Sequence, residues 1–442
     1  MFHAVVSWPS APVTKSLVLN ALEALNPPPA IVRAASREGN YPTVFWSSYD
    51  DIDHELVHSH RDTVLASSYM FRKALIRKHF LSRCLHSYVT KHLHSPLRLA
   101  APKTFEIELS FVDELEEMFL DELWELGEEL DKGQKWWILK PGMADRGNGI
   151  RLFNSKASLV QIFEEFEEAE SDEDAGSEEE DSTAVVTSQL RHFVIQEYLS
   201  TPLLLDPSEV SINGSPKPGV LQGHKFHLRA YCIASGALEV FLFDKILALF
   251  SAVPYTQPRV EKDQDGDPLP VDLIPHLTNT SLQTGRGEEG VRLFQELVSC
   301  HILSGGNAEA QLSAAEVESI VDQIVVILGE TFKAALANPI HFQPLPNAFE
   351  LFGVDFLVTH TPASSPPFQV SLLEMNAEPA IELTGPRLSW ILRDLFDAIA
   401  KVCVDPFFRR QPDAGEWRIG ETRHGLIKCL SDQVRGNSSE AG

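Results

Sequence analysis

The run Val370-Ser371-Leu372-Leu373-Glu374-Met375-Asn376-Ala377-Glu378-Pro379 constrains this chain more than any other. It is apolar and β-branched at its start, carries Glu374 and Asn376 two residues apart, and is stopped by Pro379. Residues i and i+2 of a strand face the same way, so the carboxylate and the amide share a face. Earlier, Phe349 to Val358 reads as a second strand, with Phe352, Val354, Phe356 and Val358 on one face and Asp355 on the other. If the two strands are neighbours, Asp355, Glu374 and the Asn376 carbonyl form an all-oxygen site suited to Mg²⁺. That ion takes one or two carboxylates and leaves its other positions to water and phosphates. If they are not, both acids are solvated residues on a half-exposed sheet, and these residues alone leave both readings open.

A chain of 442 residues exceeds the size at which single cores split, so two or three lobes are expected. The division read from the sequence is an N-terminal α/β lobe over 1–66, a central lobe over 67–200 and a C-terminal lobe over 201–442. Five scattered cysteines without a CxxC pair argue against a disulfide framework or a zinc cluster and for a reducing compartment. No apolar run is long enough for a membrane span or a secretory leader, so a soluble, cytoplasmic protein is expected. The net charge of −26 is unevenly spread: Glu164 to Asp181 holds 12 acids and no base, whereas Arg61 to Lys103 holds nine Lys/Arg against Asp62 alone. Such a local basic surface can recruit nucleotide phosphates, an acidic peptide or RNA despite an acidic total, and a solvated helix face also accounts for it.

Phe2 to Trp8 and Tyr41 to Trp46 read as strands, with a helix from Lys15 to Leu25 between them. A helical pattern covers Thr63 to His94 and gathers Arg72, Lys73, Arg77 and Lys78 toward one side. An acidic helix is expected from Val112 to Leu130, ending near Gly133. Trp136 to Pro141 is a strand that ends in Lys140 and runs into a loop with glycines at 142, 147 and 149. Such glycines let backbone N–H groups turn toward an anion, although an ordinary hairpin has the same pattern. A helix from Ser158 to Glu168 is expected to dissolve into a disordered acidic insertion over 169–188. Phe193 to Leu199 reads as a strand, and Lys225 to Phe250 as a hairpin broken at Ser235-Gly236. On its first strand Lys225, His227, Arg229 and Tyr231 share one face, a row of cations that points to a ligand. Helices are expected over 315–336 and 390–404, and the tail after Gln411 is expected to fray.

Taken in order, these pieces resemble the tubulin–tyrosine ligase and ligase-like family of the ATP-grasp superfamily over about residues 70 to 400. The resemblance rests on Leu75-Ile76-Arg77-Lys78, Trp137-Ile138-Leu139-Lys140-Pro141 with its glycine loop, Gln196-Glu197-Tyr198-Leu199, Lys225-Phe226-His227-Leu228-Arg229, His276-Leu277-Thr278-Asn279-Thr280, Phe352-Gly353-Val354-Asp355-Phe356 and Leu373-Glu374-Met375-Asn376-Ala377-Glu378-Pro379. The Met143 to Gly147 loop and the Ile246 to Phe250 strand look most like the fungal ligase-like branch, of which at least one member is associated with mRNA granules (P-bodies).

The resemblance implies an α/β (α+β) ATP-grasp fold whose two sheet lobes clasp ATP behind a small N-terminal lobe. It implies an ATP- and Mg²⁺-dependent ligase that activates a peptide carboxylate as an acyl phosphate and lets the amine of a free amino acid attack. By this likeness Gln196, Glu197, Tyr198 and Leu199 hold adenine, and Lys140, Gly147, Gly149, Lys225, His227, Thr278 and Asn279 hold the rest of the nucleotide. Asp355, Glu374 and Asn376 hold the metal. Lys78 and Arg77 meet the γ-phosphate or the substrate carboxylate, and Arg229 clamps the acyl phosphate. The implied partners are an acidic protein tail, α-tubulin by family default, and mRNA-granule proteins; no nucleic-acid motif is present. Two departures stand out: His227 replaces the aspartate of the family's Lys-Phe-Asp-Ile-Arg, and Leu249 occupies the place of a second substrate-gripping arginine. They keep open the alternative of a weak or inactive ATP-grasp scaffold.

Overall fold

The computed structural model describes residues 2–36, 41–142, 149–173, 192–212, 219–260, 269–278, 288–307, 309–409 and 415–433. Four short strands, β1 (His3–Val5), β2 (Ala30–Val32), β3 (Thr43–Phe45) and β4 (Val64–Ala66), make a parallel sheet in the order β2-β1-β3-β4. Parallel neighbours need crossovers. Helix α1 (Pro12–Glu23) links β1 to β2, and α2 (His54–Ser59) links β3 to β4. The helix expected over 63–94 is therefore broken, its first residues being β4. The remainder is split into α3 (Lys73–Ile76) and α4 (Lys78–Lys91) by an extended Arg77. Arg72 and Lys78 consequently point to different partners, Glu350 and Glu374.

After the short α5 (Leu97–Ala100), a second, antiparallel sheet contains β5 (Thr104–Glu108), β6 (Trp137–Pro141), β7 (Arg151–Phe153) and β8 (His192–Glu197) in the order β5-β8-β6-β7. Its apolar face carries Ile107, Trp137, Leu139 and Ile195, and it is covered by α6 (Glu114–Leu120), α7 (Trp124–Lys132) and α8 (Lys156–Glu173). The single acidic helix expected here is thus two, and Gly133, at a left-handed φ of 61°, closes the second. Helix α8 continues to Glu173, past the end expected from charge alone. The rest of the acidic segment lies outside the described residues.

The third sheet is centred on β10 (His224–Ser235), with β9 (Leu204–Leu205), β11 (Glu239–Phe243), β12 (Leu247–Phe250), β13 (Val291–Leu293), β14 (Phe349–His360), β15 (Phe368–Ala377), β16 (Thr422–Arg423) and β17 (Leu426–Ser431) around it. The expected hairpin has a divided second arm: β11 pairs the outer half of β10, and β12 folds back onto the inner half. Alternate residues Phe226, Leu228, Ala230 and Cys232 of β10 and Phe352, Val354, Phe356 and Val358 of β14 pack against α9 (Ala314–Leu336). That helix starts at a reciprocal cap between Ser313 and Glu316. The other face receives α10 (Ser389–Ile399) and the N-terminal sheet. The expected final helix changes to a π-helical turn at Ala400–Val404 and ends in α11 (Asp405–Arg409). The tail does not simply fray, because β17 joins the sheet beside β11. All five cysteines are buried, and none forms a disulfide. Among the described residues no helix is long and apolar enough to cross a membrane.

Candidate active site

Between the second and third sheets lies a cleft into which polar side chains converge from both walls. Lys140 and Gln196 line it from one side; Lys225, His227, Asp355 and Glu374 line it from the other. Strands β14 and β15 are neighbours, and Asp355 stands directly opposite Glu374. The Asn376 amide donates to Glu374 Oε1 at 3.3 Å. Asn376 in turn faces Gly353, where a Cβ would come within 2.8 Å of Pro379, so this end of the pair requires glycine.

Arg229 stands opposite Asp355 on β10. Its Nη2 donates to Oδ2 at 2.9 Å and its Nε to Oδ1, so the residue read as a substrate clamp grips a protein carboxylate. Burial by itself would lower the guanidinium pKa, and Asp355 more than reverses that. Glu374 lies 3.4 Å from Lys78 Nζ. Burial works against its ionisation, but Lys78 and Lys140 hold it down at about 2.

Two lysines reach the cleft from opposite sheets. Lys140 donates to Gln196 Oε1 at 2.8 Å, and burial lowers it to about 8. Lys225 donates to the Tyr198 hydroxyl at 3.1 Å and sits 4.3 Å from that ring's centre; burial lowers it to about 7. The Tyr198 hydroxyl also meets His276 Nδ1 at 3.0 Å. Ammonium groups held this close to neutrality gain a full charge cheaply when an anion arrives.

Other expected residues are placed differently. Leu199, Thr278 and the rim residue Glu197 line the cleft, although Glu197 is paired with Lys135 at 2.9 Å. Arg77 marks the break between α3 and α4 rather than the cleft wall. Gly149 adopts a φ of 70°, as a glycine loop requires, whereas Gly147 and Asn279 lie outside the described residues. His276, Leu277, Ile138 and Ile150 also line the cleft but were not singled out as site residues, although all but Ile150 stand inside quoted motifs. Leu249 is opposite His227 on β12 and packs with Val291 and Leu293 in the core.

A larger crevice of about 870 Å³ separates the N-terminal sheet from the segment after β15, with Trp8, Trp46, Arg72, Glu350 and Glu378 among its walls. Its one buried ion pair, Arg72 with Glu350, is already matched. The smaller cleft holds the converging lysines and acids and is the better candidate for phosphate chemistry. Among the described residues no three His, Cys, Asp or Glu side chains form a ready metal cage. Asp355 and Glu374 fit a divalent ion whose remaining ligands are phosphate oxygens and water.

The tubulin-tyrosine ligase family model matches residues 58–412. A probable tubulin–tyrosine ligase, PBY1 of Saccharomyces cerevisiae, is 36% identical over 88% of this chain, which spans 49% of that longer protein. A probable tubulin–tyrosine ligase of Schizosaccharomyces pombe is 37% identical over 85% of both chains. The crystal structure of the C-terminal domain of K. lactis Pby1, described as an ATP-grasp enzyme interacting with the mRNA decapping enzyme Dcp2, superposes with a TM-score of 0.66 at 30% identity. That match covers 98% of this chain and 100% of the domain. The fold is that of an ATP-grasp enzyme, and the chain belongs to the tubulin-tyrosine ligase family.

Proposed function

We propose that this chain is an ATP-dependent carboxylate–amine ligase acting on a protein tail. The observation that carries the reading is that Lys140 and Lys225 line one cleft with the Asp355–Glu374 pair, while Lys78 stands on Glu374. In this reading the tail carboxylate oxygen attacks the γ-phosphorus of ATP, ADP leaves, and an acyl phosphate forms. The amine of an amino acid then attacks the acyl carbon, inorganic phosphate departs, and the amine loses a proton to leave an amide.

Lys140 and Lys225 bind the phosphates from opposite sides, and the strand end at Gln196 to Leu199 presents backbone groups to the base. Asp355, Glu374 and Asn376 hold a divalent ion, which when bound neutralises the phosphate oxygens during transfer. Lys78, on Glu374, would follow the moving charge, and Arg229, held by Asp355, would orient the carboxylate. The basic side chains of α4 suit an acidic tail, with α-tubulin the family's default and the cytoplasm the expected compartment.

A scaffold in mRNA granules is the second reading. Leu249 in the core instead of a substrate arginine favours it, as does the Dcp2 interaction described for the K. lactis relative. Calorimetry of ATP with Mg²⁺ separates the two when wild type is run beside Glu374→Gln. Binding that the variant or EDTA abolishes supports the ligase; no binding by wild type sinks it and leaves the scaffold.

A further inference from the structure

We propose that His227 is a nitrogen ligand of the divalent ion that accompanies the nucleotide, and that the site therefore prefers Mn²⁺ to Mg²⁺. The proposal rests on nucleotide binding as read above, but it does not require turnover. His227 is 5% exposed. Its Nδ1 is tied to the Thr278 hydroxyl, while Nε2 is buried without a hydrogen-bond partner and stands 3.6 Å from Asp355 Oδ1.

That separation is longer than an N–H···O bond, so a proton on Nε2 would be poorly used. With the proton on Nδ1 and donated to Thr278, Nε2 turns a lone pair toward a carboxylate. Two buried acceptors then face each other, an arrangement that a cation between them resolves. Two ligands ~2.1 Å from one ion, at angles from octahedral to tetrahedral, stand roughly 3.0–3.4 Å apart. A small ring rotation closes the difference. The Thr278 bond fixes the ring in the way that outer partners orient metal-bound imidazoles.

The surroundings leave room for this role. Leu249, opposite on β12, offers Nε2 no hydrogen bond. Arg229 holds both oxygens of Asp355, but each carboxylate oxygen has a second lone pair, so guanidinium and ion can share it. Having histidine where the family's motif carries aspartate removes a negative charge and puts an imidazole nitrogen in place of a carboxylate oxygen. Mg²⁺ favours oxygen and gives up water reluctantly, whereas Mn²⁺ keeps a six-coordinate, phosphate-compatible shell and accepts imidazole more readily.

The test is pulsed electron paramagnetic resonance of Mn²⁺ bound with a non-hydrolysable ATP analogue, joined to competition between Mn²⁺ and Mg²⁺. Wild type should show nitrogen coupling from a directly bound imidazole. His227→Asp should lose the coupling and shift the Mn²⁺-over-Mg²⁺ preference toward Mg²⁺ by about tenfold or more. Thr278→Val, which frees the ring, should weaken Mn²⁺ without adding an oxygen ligand, and it keeps the test alive if His227→Asp does not fold. Nucleotide binding without nitrogen coupling in wild type, or an unchanged preference in His227→Asp, overturns the proposal alone. No nucleotide binding with either ion overturns the ligase reading as well.

Discussion

Strand β14 carries two buried carboxylates, Glu350 and Asp355, each gripped by an arginine, and their surroundings differ. Glu350 holds Arg72 with one oxygen and accepts the Tyr69 N–H at 3.1 Å with the other, while the Arg72 guanidinium lies 4.2 Å from the centre of the Tyr49 ring. That pair is closed: it ties the N-terminal segment to the large sheet. Asp355 holds Arg229 yet also faces an unpartnered His227 nitrogen and, across the strand pair, Glu374 with its attendant lysines. A matched pair is architecture even where it lines a crevice, whereas unspent charge beside a cleft is a place for a ligand.

The largest expected effect breaks the closed pair. Arg72→Ala strands a buried carboxylate and should cost about 3–5 kcal/mol in denaturant unfolding, while Arg72→Met with Glu350→Leu should recover most of it. A double variant no better than the single one would mean that the pair is not a self-contained unit. Asp355→Asn should act the other way round. Its stability loss should be smaller, because asparagine still offers Arg229 an acceptor oxygen, but the affinity for metal and nucleotide should fall about 10–100-fold in calorimetry.

A subtler effect sharpens the contrast through pH. Lys140 and Lys225, held near 8 and 7, are half-charged and largely neutral respectively at pH 8, and bound phosphates favour their charged forms. Nucleotide binding at pH 8 should therefore take up protons, seen as a buffer-dependent heat, and affinity should weaken as pH rises through 7 to 9. Lys225→Met should reduce the uptake without abolishing it.

The smallest expected effect concerns Glu374. Its folded value of about 2 lies below the unfolded value of ~4.3, so its stabilising contribution is complete above that pH and is lost on acidification toward 2. Glu374→Gln should flatten this acid limb, whereas a Glu350 substitution should not. Burial raises the Glu350 pKa despite Arg72, so its ionisation adds no stability there.

The open pair could be foreseen and the closed one could not. Alternation along β14, β15 and β10 was enough to assign faces, since period-2 patterns are local. Arg72 looked like part of a basic helix stripe because the partner that recruits it lies 278 residues away. Strand β4 was absorbed into a helical pattern for a related reason: three apolar residues acquire a period only when β3 is alongside. Leu249 could be aligned against an arginine, but its retreat into the core became visible only when β13 was placed next to it. His227 stands out in the sequence as a departure; its orphaned nitrogen arises only where β10 and β14 set it beside Asp355.

The register of β17 has a consequence for how the molecule is made. β11 can pair with β10 early in synthesis, yet its outer edge is covered only by Leu426–Ser431. Helix α9 also needs that strand, since Gly329 approaches the Cys429 carbonyl so closely that a Cβ would sit 2.8 Å from it. A nascent chain therefore carries an unpaired strand edge from the synthesis of Phe243 until that of Leu426, and such edges recruit other chains. Ribosome-bound chains halted before residue 422 should be the ones that chaperones hold, and release of β17 is what ends their dependence.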